Sequence, residues 1–373
     1  MSKVKVTTIL GTRPELIRLA SIIKRMDVVF DHRLIHTGQN FDPQLSNIFF
    51  EELEIRSPNV FLGVSPGSLG VFLGDLFKVI ENEFVQNPPD AVVILGDTNS
   101  ALAGIIAKRR GIPVYHLEAG NRSFDPNVPE EINRQIVDHF SDFNLVYTSH
   151  AKANLIREGM HPRNISVIGS PLFEVLNRFK ESIGNSKILS SLNLTSKNYF
   201  LVSSHRQENI DNPERLNELV SALNLIADHY KLPIIVSTHP RTRDKLDVLK
   251  ASLNPLIIFC KPFGFFDYNK LQLEARAVLS DSGSVSEESA ILGFPAITIR
   301  DSMERPEALE AGSILMSGIT SLGILESLRI MENSPKSQLP PSEYFIPDTS
   351  TRVINYIAST VRQHAFWSGL RKA

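Results

Sequence analysis

Residues 4–15 read Val4-Lys5-Val6-Thr7-Thr8-Ile9-Leu10-Gly11-Thr12-Arg13-Pro14-Glu15. A short, largely β-branched run ends at a glycine. Pro14 follows where the first turn of a helix tolerates proline, and Leu16, Ile17, Ala20, Ser21 and Ile23 continue at helical spacing. The stretch is therefore strand, turn, helix. The same unit recurs with strands over 33–36, 92–95, 114–117 and 144–147, and helices near 69–84, 100–109, 130–140 and 150–158. Val92-Val93-Ile94-Leu95 is apolar throughout, as a strand covered by helices on both faces must be. The second half restarts the series. Strands fall over 199–203, 234–237, 257–259, 277–280 and 296–299, and helices near 212–229, 241–251, 268–275, 285–292 and 350–368. Strands alternating with helices make parallel sheets. Two such series predict an α/β protein with two Rossmann-like, doubly wound domains.

The chain length of 373 residues agrees with two domains at about 150 residues each. We place the first domain at 1–169 plus 355–373 and the second at 170–354, with the hinge near Gly169. Residues 181–196 are polar and read as loop, as does the Pro/Ser-rich stretch 333–347. Lys plus Arg is 39 and Asp plus Glu is 41, a net charge of −2, which argues against nucleic acid as a partner. The lone cysteine, Cys260, excludes an internal disulfide and a Cys₂ zinc site, and reads as a buried core residue. The N-terminal stretch lacks a signal-peptide pattern, and no run approaches the length of a membrane span. A cytoplasmic protein with no membrane partner is expected.

In open α/β sheets ligands bind beyond the carboxyl ends of the strands. Those ends carry Gly11-Thr12-Arg13, Gly96-Asp97-Thr98, His116-Leu117-Glu118-Ala119-Gly120, Ser204-His205-Arg206, Asp281-Ser282-Gly283-Ser284 and Glu304-Arg305-Pro306-Glu307. Arg13 suits a phosphate gripped through its two-pronged guanidinium, or equally a surface ion pair. Ser282-Gly283-Ser284 opens a helix whose free N–H groups favour an anion, although an ordinary N-cap reads the same way. Glu287 and Glu288 would repel a phosphate placed too close, and either could accept sugar hydroxyls. Asp97, Glu118, Glu130 and His205 are the types needed for general acid and base work. N-capping for Asp97 and helix-dipole pairing for Glu130 are the plain alternatives. His116 and Glu118 form an H-x-E, a weak metal signal with no further ligand at spacing, so no metal is expected.

These motifs, in this order, resemble the non-hydrolysing UDP-N-acetylglucosamine 2-epimerase family. His36-Thr37-Gly38-Gln39 and Pro129-Glu130-Glu131-Ile132-Asn133-Arg134 complete the set. An ordered set spread over about 300 residues is highly specific. The resemblance implies the glycosyltransferase-B architecture, two domains facing a cleft, with the helix over 350–368 crossing back to the first domain. It implies a UDP-sugar substrate, no cofactor, and a homodimer. It implies proton removal at C2 with departure of UDP, then proton return on the other face and re-addition of UDP. Carried over by position, Arg13, His205, Ser282, Gly283 and Ser284 are expected at the diphosphate, Glu288 at the ribose, Tyr268 near the uracil, and Arg305 at the nucleotide or sugar. Asp97, Glu118 and Glu130 are expected as the acid/base set, with His205 assisting departure of UDP.

The chain departs from the common family pattern at Arg18, a substrate-contact position where lysine is usual, at Asn40 and at Asn121. These changes, with the Asp267-Tyr268-Asn269 run, resemble the branch that makes UDP-N-acetyl-L-fucosamine from UDP-2-acetamido-2,6-dideoxy-L-talose for capsule or O-antigen synthesis. Asn40 also speaks against the regulatory second UDP-sugar site of other members. UDP-N-acetylglucosamine 2-epimerase, the 2,3-diacetamido uronic acid branch and a glycosyltransferase on the same scaffold are the alternatives.

Overall fold

The computed structural model describes residues 3–39, 43–64, 67–204, 206, 209, 211–237, 253–334 and 340–370. The chain divides into two units, one comprising residues 1–177 and 343–373, the other 178–342. Each is an α/β unit built on one parallel sheet.

The first unit carries β1 (Lys5–Leu10), β2 (Asp31–His36), β3 (Val60–Phe61), β4 (Ala91–Leu95), β5 (Val114–Leu117), β6 (Phe143–Val146) and β7 (Ile165–Val167). Their order is β3-β2-β1-β4-β5-β6-β7, and every pair is parallel. The chain winds outward from β1, then returns beside it at β4. The strand order therefore reverses between β1 and β4. Every residue of β4 is buried, and Val92 and Ile94 pack with the helices Leu69–Gln86 and Gly104–Arg109 in one apolar layer. Gly120, just past β5, holds φ 78°, and a Cβ there would stand 2.4 Å from the Ala151 carbonyl oxygen. Only glycine fits that crossing.

The second unit carries β8 (Phe200–Ser203), β9 (Ile234–Ser237), β10 (Ile257–Cys260), β11 (Ala277–Ser280), β12 (Ala296–Thr298) and β13 (Leu315–Met316). Their order is β10-β9-β8-β11-β12-β13, again parallel, with the reversal between β8 and β11. Phe200, Val202, Leu223, Ile234, Leu279 and Ile297 form the centre of its core.

The C-terminal segment belongs to the first unit. The Thr349–Thr360 helix packs on the Arg13–Val29 helix. Tyr115 Oη pairs with Thr360 Oγ1 at 2.8 Å, and the Tyr356 ring meets Phe143 edge-on. The division of the chain falls later than Gly169 and earlier than 354 because Ser170 N–H donates to the Glu343 carbonyl and Thr349 Oγ1 to that of Ile168.

Several expectations are corrected. Residues 350–368 do not form one helix; Thr349–Thr360 ends and His364–Trp367 follows, which lets His364 Nε2 stand 2.8 Å from Asp142 Oδ1. Residues 181–196 are not simply loop. Short helices, Lys180–Asn185 and Ile188–Ser191, form there because Ile183 buries its side chain and Ser186 Oγ donates to Asp267 at 2.5 Å. Such contacts override a polar composition. Residues 342–345, expected as loop, form a 3₁₀ turn around buried Tyr344. Cys260 is partly exposed at the end of β10, an edge strand, so it is not a core residue. The helix expected over 241–251 lies outside the described residues. Among those described, no helix is long and apolar enough to cross a membrane.

Candidate active site

In the first unit the loops that flank the strand reversal are the ones rich in functional groups. After β1, Thr12 caps the Arg13–Val29 helix, with Pro14 in its first turn. Glu15 accepts the Thr12 N–H at 2.7 Å and so completes a capping box. Arg13 leaves that turn with its guanidinium 5.8 Å from the Phe49 ring centre. Gly11 is required by space: a Cβ would lie 2.1 Å from Ser100 Oγ and 2.2 Å from Thr37 Oγ1.

After β4, Asp97 does not act as the N-cap of the next turn. Thr98 takes that position, and the Asp97 carboxylate is held by Arg134 Nη2. Arg134 donates its other arm to Glu131 Oε2 at 2.9 Å, and Asn133 Nδ2 donates to the Asp97 carbonyl at 3.0 Å. Both residues lie on the Pro129–Phe140 helix, three and four positions after Glu130. Glu130 therefore shares the helix face that meets the Asp97 turn. Asp97 keeps a fifth of its side chain exposed, whereas Arg134 is buried. The result is a partly accessible carboxylate on a buried, fixed cation.

After β5, Glu118 takes φ 65°, a left-handed backbone that costs a non-glycine residue about 1 kcal/mol or more. Its Oε2 lies 3.2 Å from Arg18 Nε. Arg18 is buried and sits over the Tyr147 ring at 5.6 Å. Arg18 thus meets Glu118 and anchors it. Two residues earlier, His116 is fully buried, with Nε2 2.9 Å from the Gly96 carbonyl and Nδ1 2.8 Å from Asp138. Burial alone would raise the Asp138 pKa, but His116 and Arg122 outweigh it and hold the carboxyl below its ordinary value. The H-x-E is thus half an ion pair, with both imidazole nitrogens spent on the protein.

In the second unit Asp281 organises the reversal between β8 and β11. Its Oδ2 accepts from Ser204 Oγ, the Arg206 N–H and Asn209 Nδ2, at 2.9 to 3.0 Å. The Ser282-Gly283-Ser284 turn opens the Val285–Leu292 helix, with Ser284 at the cap. Arg305 Nη1 donates to the Gly283 carbonyl at 2.6 Å and pairs with Glu287 at 3.1 Å. That pairing neutralises the carboxylate expected to oppose an anion. Arg300 and Arg206 both bond Glu304. Glu288 accepts from Gln272 Nε2 at 2.5 Å. Burial pushes the Tyr268 phenol up, with Glu288 adding to the effect.

The structure therefore groups Arg18 with Glu118, brings Asp97 onto the helix that carries Glu130, and gathers Gly283 with Arg305. Arg13 stands on its own turn, over the Phe49 ring. His205 and Asn40 lie outside the described residues. Sequence reasoning quoted Glu15, Glu131, Arg134 and Glu304 within motifs but gave them no role, and passed over Asp138. The signals for Arg134 were its place in the Pro129–Arg134 motif and one turn after Glu130.

Two parallel-sheet units, each with polar side chains massed at its strand reversal, define a glycosyltransferase-B-like α/β protein. Residues 24–358 match the profile described as UDP-N-acetylglucosamine 2-epimerase. The UDP-N-acetylglucosamine 2-epimerase of Rickettsia bellii is 41% identical, with 97% of this chain and 98% of that chain covered and a TM-score of 0.92. The Methanocaldococcus jannaschii enzyme, solved with UDP-GlcNAc and UDP, is 36% identical over 95% of this chain and 99% of that one, with a TM-score of 0.89. A Pseudomonas aeruginosa UDP-2,3-diacetamido-2,3-dideoxy-D-glucuronate 2-epimerase is 34% identical, covering 87% of this chain and 91% of the relative. The chain belongs to the UDP-N-acetylglucosamine 2-epimerase family, whose members are carbohydrate isomerases.

Proposed function

We propose that this protein inverts C2 of a UDP-N-acetyl-amino sugar. A base removes the C2 proton while UDP leaves from C1, giving a 2-acetamidoglycal; a proton then returns to the opposite face and UDP re-adds at C1. The observation that carries the reading is the pair of arginine-anchored carboxylates, Asp97 on Arg134 and Glu118 on Arg18, at the ends of adjacent strands β4 and β5. With Glu130 they supply the acid/base set. Arg13, His205, Ser282, Gly283, Ser284 and Arg305 hold the nucleotide diphosphate and sugar, Glu288 the ribose and Tyr268 the uracil side. Cations and N–H donors at the leaving diphosphate lower the barrier to its departure. No cofactor enters the scheme.

Within the family we favour UDP-2-acetamido-2,6-dideoxy-L-talose as substrate and UDP-N-acetyl-L-fucosamine as product, for capsule or O-antigen synthesis, by a cytoplasmic homodimer. Asn121, in place of the usual leucine, supports this: it is buried beside the Glu118 loop and its Nδ2 has no protein partner among the described residues. The second reading is UDP-N-acetylglucosamine itself, which the named relatives support equally. Incubation with each UDP-sugar in D₂O, followed by NMR at C2, decides. Deuterium at C2 with a new C2 epimer is expected. No exchange with any candidate would sink the epimerase reading, and exchange with UDP-N-acetylglucosamine alone would sink the branch. Asp97→Asn and Glu118→Gln should each abolish exchange while leaving UDP binding intact.

A further inference from the structure

We infer that Glu15 is a positioning residue for Asp97, acting through Thr98; the inference rests on the epimerase reading above. Glu15 is almost fully buried, and its carboxylate accepts four donor contacts. Oε2 accepts the Gly11 N–H at 2.9 Å, the Thr12 N–H at 2.7 Å and Thr12 Oγ1 at 2.8 Å. Oε1 accepts Thr98 Oγ1 at 3.0 Å. The first three contacts close the Arg13 turn. The fourth crosses from the end of β1 to the end of β4, over the point where the strand order reverses.

Thr98 makes the case for a purpose beyond capping. It occupies the N-cap of the Asn99–Ala103 turn, where a threonine hydroxyl ordinarily accepts a backbone N–H of its own turn. Here the hydroxyl makes no cap bond and is spent instead on Glu15. The residue before it is Asp97. Glu15 thus sets the Arg13 turn against the Asp97 turn through one side chain. The second unit repeats the device, where buried Asp281 at the end of β11 accepts from Ser204 and Arg206 at the end of β8. In each unit one carboxylate clasps the two loops that flank the reversal.

A clasp of this kind sets the geometry of the reacting carboxylate, so its loss lowers turnover more than affinity. Thr98→Val removes the crossing contact and leaves the Glu15 capping box intact. C2 exchange in D₂O should fall at least tenfold, with the UDP dissociation constant within threefold of wild type. Thr98→Ser, which keeps the hydroxyl, should stay within about twofold in both. Thr98→Ala serves where the valine variant does not fold. Wild-type exchange in a hydroxyl-free variant would overturn the inference. So would a loss of UDP binding equal to the loss of rate, or failure of both hydroxyl-free variants to fold, since the contact would then serve binding or structure only. An inactive wild-type protein would bring down the epimerase reading and this inference together; an active wild type with an unimpaired Thr98→Val brings down this inference alone.

Discussion

Arg18 Nε lies 3.2 Å from Glu118 Oε2, with both side chains at or below a tenth exposed. The guanidinium also covers the Tyr147 ring, so its charge is fixed on two sides. Removing one partner of a buried pair leaves the other charge uncompensated, at a cost of about 3 kcal/mol or more. Arg18→Met should therefore lower the urea midpoint by that equivalent and abolish C2 exchange. Unchanged stability would show that Glu118 finds its compensation elsewhere.

Glu15 gives a pH dependence with an unusual sign. Burial raises its pKa from 4.5 to about 7, against the opposing donors of Gly11, Thr12 and Thr98. The folded state therefore binds a proton that the unfolded chain has released. Its stabilising term is complete below pH 4.5 and is lost as the pH rises through 7, a swing of roughly 3 kcal/mol. Glu15→Gln has no such titration. Unfolding free energies of the two proteins, measured from pH 4.5 to 8, should diverge with wild type losing ground as pH rises. Parallel curves would refute the shift.

Asn121 offers a stability–activity trade. Its Nδ2 is buried without a protein acceptor among the described residues, and a buried unsatisfied donor costs about 1–3 kcal/mol. Asn121→Leu should raise the melting temperature by an amount equivalent to about 1 kcal/mol. If Asn121 faces the sugar, the same change should lower kcat/KM on the preferred UDP-sugar by tenfold or more. A variant no more stable than wild type would mean that water satisfies the amide at no cost.

Gly120→Ala tests the loop that carries Glu118 and Asn121. The added methyl would meet the Ala151 carbonyl oxygen at 2.4 Å, on a backbone with φ 78°. The left-handed backbone alone costs about 1 kcal/mol, and rigid backbone opposite cannot yield as a side chain would. A loss well above 2 kcal/mol, or no folded protein, is expected in thermal melts. A melt within a few degrees of wild type would contradict the close crossing.

Strand and helix identity was legible in residues such as Val92–Leu95, where apolar runs are punctuated by glycine and proline. The strand-end rule then led to Asp97, Glu118 and Ser282 without any coordinates. Two-residue strands such as β3 and β13 were not legible, because pairs such as Val60-Phe61 and Leu315-Met316 carry no period. Nor were the anchors of the site. Arg134 reaches Asp97 from 37 residues away and Glu15 reaches Thr98 from 83. Sequence neighbours announce a cap or a turn, whereas a partner fixed by sheet order is announced by nothing local. His116 illustrates the point: beside Glu118 it reads as half a metal motif, yet its partner Asp138 lies on a later helix.

The return of the C-terminal segment to the first unit has a consequence for biosynthesis. Tyr115 and Phe143 both pack against Tyr356, and Phe143 also meets Trp367. Residues 178–342 form a unit of their own, but residues 1–177 must wait for the segment that follows residue 342. Until then an apolar face of the nascent first sheet stays open. A message that stops short of residue 343 would thus release a chain with one finished unit and one adhesive one, and chaperone demand should be set by residues 1–177.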